Sequence, residues 1–120
     1  MTSEQINVNV PFRLPEMFAG IVQGNGLAKA TPADLTLEFV VQDGVVNLVK
    51  SRVKEIRIPR GEIDSIQHKR GWFGDKLNVR VKSLRWLADL PGCDNAEVTL
   101  HISKRDRARA GELVQILGPF

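Results

Sequence analysis

From residue 35 onward the chain alternates apolar and polar side chains with a period of two, the pattern of a strand with one face buried. In Leu35-Thr36-Leu37-Glu38-Phe39-Val40-Val41 one face carries Leu35, Leu37, Phe39 and Val41. Gln42-Asp43-Gly44 follows, and Asp and Gly tolerate the positive φ of a hairpin turn. Residues 45–49 (VVNLV) then read as the return strand. Lys54-Glu55-Ile56-Arg57-Ile58 is a short strand stopped by Pro59, which has no N–H to give to a ladder. Ile63 and Ile66 in the next strand are out of phase, which predicts a bulge between them. Residues 77–82 and 96–102 alternate cleanly. A chain patterned this way folds as an antiparallel β-structure.

The period changes near the C-terminus. Ala110, Leu113, Val114 and Leu117 fall at i, i+3, i+4 and i+7, one stripe of an amphipathic helix over residues 103–118 that would dock on the sheet. Ser103 with Asp106 three residues later predicts a capping box, and Gly118-Pro119 ends the helix. Lys104, Arg105, Arg107 and Arg109 read as its exposed polar face. At the other end, Ile6 to Phe12 alternates like a strand, and Pro11 assigns it to a sheet edge, so residues 1–15 form an arm or extra edge strand. Residues 83–95 are long for a hairpin loop. Their Leu84, Trp86, Leu87 and Leu90 suit one helical turn packed over a barrel end.

Size and composition narrow the class. The 120 residues hold no repeat, low-complexity tract or linker, and make one domain. Hydrophobic residues at 42% and charged residues at 26% are ordinary for a globular protein. The single cysteine, Cys93, forbids an intrachain disulfide and points to a reducing, cytoplasmic setting. Met1-Thr2-Ser3-Glu4-Gln5 lacks the basic and apolar regions of an export signal. The longest charge-free stretch, residues 17–28, is broken by glycines and falls short of the ~20 apolar residues of a membrane span. A net charge of +3 is compatible with an acidic partner without requiring one, and the cations spread along the chain rather than gathering as in a nucleic-acid binder.

Few residues suggest chemistry. His68 shares a face with Ile66 and reads as a hydrogen-bonded, partly buried residue, whereas His101 points outward. Cys93 has no histidine near it in sequence, and Asp34, Glu38, Asp43 and Glu62 fall on turns or outward positions without the spacing of a paired acid and base. Gly24-Asn25-Gly26 is not followed by the Lys-Ser/Thr of a phosphate loop. No catalytic residue, metal site or cofactor is expected. The densest basic strip is Lys50, Arg52, Lys54, Arg57 and Arg60, either the polar outer face of a hairpin or a docking strip for an anionic surface. The stretch Arg70-Gly71-Trp72-Phe73-Gly74-Asp75 puts two large aromatics where a hairpin usually carries small polar groups. One reading folds at least one ring over the barrel end onto Trp86 or Leu87. The other exposes an aromatic as an anchor, with Trp72 the better candidate.

Short antiparallel strands closed by one amphipathic helix outline the pleckstrin-homology (PH) superfold. Residues 37–74, above all Ile56-Arg57-Ile58-Pro59 leading into Glu62-Ile63, and residues 96–117 resemble the bacterial PH-like family, a likeness spanning about residues 26 to 118. The resemblance implies a PH-like barrel or sandwich of about seven strands, with strands over residues 26–102 and one capping helix. It implies a small binding or oligomerising module without an assigned ligand, since such folds host many roles. The phosphoinositide pattern of PH domains is missing: the corresponding loop, Thr31-Pro32-Ala33-Asp34, has only Lys29 beside it and Asp34 opposing. The expected function is therefore non-catalytic binding of a protein or peptide partner, or of another copy of the chain. Trp72, Phe73 and Trp86 are the candidate contacts. The alternative is an anionic-surface binder, of lipid headgroups or nucleic acid, that uses the basic strip.

Overall fold

The computed structural model describes residues 7–17, 22–43, 52–87 and 96–120. Among these residues seven strands form one antiparallel sheet: β1 (Val8–Met17), β2 (Val22–Ala30), β3 (Asp34–Asp43), β4 (Arg52–Pro59), β5 (Ile63–Lys69), β6 (Asp75–Val81) and β7 (Glu97–Ile102). Among the described residues one α-helix, α1 (Arg107–Leu117), follows. The sheet order is β4-β3-β2-β1-β7-β6-β5, so the first and last strands meet in its middle. This is the PH-like sandwich capped by a C-terminal helix.

Alternation translates into burial strand by strand. Val10, Phe12 and Leu14 of β1 point inward, as do Leu35, Leu37 and Phe39 of β3, and Leu77, Val79 and Val81 of β6. Ile56 and Ile58 of β4 and Val98, Leu100 and Ile102 of β7 complete the barrel lining. Into this lining α1 places Ala110, Leu113 and Leu117, packing on β1, β2 and β5 and so bridging both halves of the sheet. The β5 bulge lies between Ile63 and Ser65, where the out-of-phase isoleucines predict it.

Several expectations are corrected. β1 is no edge strand: it pairs with β2 along Val8 to Leu14 and with β7 at Arg13↔His101. Pro11 is tolerated because the contact with β7 is confined to that one register position. The strand β2 has no clear sequence signal, since Gly24, Asn25, Gly26 and Ala28 are poor strand formers. Gly26 is required there: a Cβ would stand 2.3 Å from the Glu38 carbonyl oxygen and 2.6 Å from the Phe12 ring. The expected return strand at residues 45–49 and the Gly44 turn lie outside the described residues. Within them, β3 pairs with β4, from Leu35↔Ile58 to Val41↔Arg52. The capping box does not form, because Ser103 to Asp106 closes a 3₁₀ turn first and neither side chain caps the helix. Residues 84–87 do form one helical turn, a 3₁₀ turn with Leu87 buried. No described helix is long and apolar enough to cross a membrane.

Candidate binding surface

The loop between β5 and β6 is short and glycine-bounded. Gly74 has φ +148°, and a Cβ on Gly71 would stand 2.5 Å from the Gly74 carbonyl oxygen, so the loop closes on itself only with these residues. Trp72 is 87% exposed and Phe73 102% exposed. The expectation that one ring folds over the barrel end is corrected. The strict alternation of extended chain does not apply inside a loop this tight, and both rings project into solvent.

What holds the loop is a buried carboxylate. Asp75, the first residue of β6, has a side chain with no solvent exposure. Its carboxylate accepts hydrogen bonds from Arg107 Nη2 (2.8 Å) and Arg107 Nε (2.9 Å to Oδ2), and lies 2.7 Å from His68 Nε2. It also accepts the Gly71 N–H at 3.3 Å, while Arg107 Nη2 donates to the Gly71 carbonyl at 3.0 Å. The loop's first glycine is thus held at both its N–H and its C=O, and the helix is latched to the hairpin. The Arg107 guanidinium, more than His68 or the Gly71 N–H, holds the Asp75 carboxyl well below the usual carboxylate range against the opposing effect of burial. Arg107 is therefore not the simple surface cation its helix position suggests. His68 is hydrogen-bonded and largely buried, as its shared face with Ile66 indicates.

Around the loop the register assembles a row that no local pattern announces. Lys69 stands opposite Lys76, Lys76 opposite His101, and His101 opposite Arg13. Four basic residues from β5, β6, β7 and β1 thus lie side by side on the outer face. Within the row Lys69 and Lys76 are like charges directly opposite one another, which costs a sheet stability. The next rows are neutral or paired: Gln67, Asn78 and Thr99, then Ser65, Arg80 and Glu97, with Arg80 Nη2 3.1 Å from Glu97 Oε2. Burial, and then the fields of Lys76 and Arg13, push the His101 imidazole below its ordinary pKa. Arg13, Lys76, His101, Trp72 and Phe73 line a cleft of about 340 Å³. On the far side of the loop, Arg70, Lys104 and Arg105 line a second cleft with His68, Arg107 and Glu112.

The other predicted contacts do not join this surface. Trp86 is half-buried in the 3₁₀ turn at Leu84–Leu87, which packs on β4 and β7, with the Arg85 guanidinium 4.9 Å from its ring centre. Of the basic strip, Lys50 and the side chain of Arg52 lie outside the described residues. Lys54 is exposed, and Arg57 sits three residues on, on the opposite strand face, with its Nε 2.5 Å from Asp34 Oδ2. Asp34 is largely buried rather than outward, and Thr31 Oγ1 donates to it at 3.0 Å. Arg60 folds back on the C-terminal segment, donating to the Leu117 and Pro119 carbonyls with the Phe120 ring 4.3 Å away. No family model matches the chain, and no curated protein or solved structure is significantly similar to it.

Proposed function

We propose that the chain is a non-catalytic PH-like interaction module whose contact point is the Trp72–Phe73 loop. One observation carries this reading: two adjacent large aromatic side chains stand fully solvated on a loop held at its base by a buried ionic network. Aromatic side chains bury roughly 150–250 Å² each, so covering both would release a few kcal/mol. A loop already fixed in place loses little conformational freedom on binding. The outer strands are weaker candidates. The exposed residues of β4 include Lys54, Glu55 and Arg57, and those of β5 include Asp64, Gln67 and Lys69, and charge of this kind discourages edge-to-edge pairing.

A catalytic reading has one feature in its favour, the His68–Asp75 pair, which has the form of a base with its orienting acid. Arg107 occupies the same carboxylate, and the cleft beside His68 is lined without a hydroxyl or thiol. Those two facts favour a structural role for the pair. The single cysteine fits work in a reducing cytoplasm.

Affinity capture from native extract, with soluble and membrane fractions kept apart, tests the proposal. The wild-type chain is expected to retain a partner that the Trp72→Ser/Phe73→Ser variant loses at unchanged thermal stability. Identical capture by both would overturn it.

A further inference from the structure

Which partner the loop takes is written in the charges around it. The exposed cations Lys69, Lys76 and Arg13 flank the aromatics on one side, and Arg70, Lys104 and Arg105 on the other. Opposing carboxylates are few: Asp75 is buried under Arg107, Glu97 is engaged by Asn78 and Arg80 although its field reaches Lys69, Asp106 lies in the 3₁₀ turn before α1, and Glu112 is the one exposed carboxylate lining the second cleft. The rings project from the centre of this charge, exposed beyond the shallow cleft that they share with Arg13, Lys76 and His101.

We propose that this end of the molecule docks on an anionic bilayer, with Trp72 and Phe73 entering the interface and the cations on both flanks meeting the headgroups. The inference rests on the loop being the contact point and adds the class of partner. Three physical arguments favour lipid. A flat partner reaches cations on both sides of a protruding tip, whereas a single nucleic-acid strand follows a groove with its bases stacked along it. Protein interfaces are depleted of lysine, but Lys69, Lys76 and Lys104 stand around these rings, and lysine is favourable beside anionic lipid. Tryptophan and basic residues together are the usual anchors at the membrane–water boundary.

Co-sedimentation with phosphatidylcholine vesicles, plain or containing about 30% phosphatidylserine, decides the matter. Binding is expected only to the anionic vesicles, and is expected to be largely lost in about 0.5 M salt. Both Trp72→Ser/Phe73→Ser and Lys69→Gln/Lys76→Gln are expected to weaken it by about tenfold or more. In a Trp86→Phe background Trp72 is the only tryptophan, and its emission should shift to the blue on vesicle binding. All these side chains except Trp86 are exposed, so the variants fold, which circular dichroism checks. Absence of binding to anionic vesicles at low salt overturns the proposal, as does binding unaffected by the loop variant. Preferential binding of an oligothymidylate would assign the surface to nucleic acid instead. Loop-dependent capture of a soluble protein without vesicle binding would overturn the lipid assignment while leaving the interaction module intact.

Discussion

Replacing Asp75 by asparagine keeps the shape of the side chain and removes the charge that Arg107 answers. Hydrogen bonds to charged groups contribute roughly 1.5–3 kcal/mol, and Arg107 is one-third exposed, so water screens part of the loss. Asp75→Asn is expected to lower stability by about 2 kcal/mol, read as a lower urea midpoint at unchanged slope. The pH dependence has a definite sign. A carboxylate held below its ordinary pKa in the folded state contributes stability that is complete above the unfolded value of about 4 and is lost as pH falls towards the folded value. The wild type should therefore lose stability steeply below about pH 4, and Asp75→Asn should show a flatter acid limb. Equal slopes in the two proteins would remove Asp75 from the account of acid sensitivity.

At the scale of elements, α1 offers a contrast between two glycines. Gly26 in β2 fits under the Phe12 ring and tolerates no side chain, but a Cβ on Gly111 meets nothing within 4 Å. Glycine inside a helix costs about 0.5–1 kcal/mol relative to alanine. Gly111→Ala is expected to raise stability by that amount, measured by thermal unfolding, and a fall would mean that the helix is strained at that point. The same comparison separates what was legible in the sequence from what was not. Strands β3, β6 and β7 are visible because one buried face imposes period two on their side chains. The β5 bulge is visible because Ile63 and Ile66 break that period. By contrast β2 is hidden, since its sequence answers to the space left by Phe12 rather than to strand propensity. Ser103 and Asp106 match a capping box, yet a 3₁₀ turn uses the Ser103 carbonyl first. Local patterns name elements well and their exact ends poorly.

The whole molecule is held together where its halves meet. β1 and β7 share the single register position Arg13↔His101, while α1 packs on β1 and β2 on one side and β5 on the other. Leu113, fully buried on that helix, therefore supports both halves of the sheet. Leu113→Ala is expected to cost about 2–5 kcal/mol and to shift the unfolding of both halves together. Separate transitions seen by hydrogen exchange in β3 and β6 would show instead that the halves fold independently. The surface belongs to this scale, which is why sequence reading found only part of it. The aromatics are conspicuous between their glycines, but Lys69, Lys76, His101 and Arg13 come from four strands and meet only through register. Asp75 reads as a turn residue until the helix brings Arg107 back to it. That return has a consequence for biosynthesis. Trp72 and Phe73 leave the ribosome before the guanidinium that positions their loop, so the contact face takes shape only when α1 docks. A nascent or helix-frayed chain carries the same two rings without the geometry to use them.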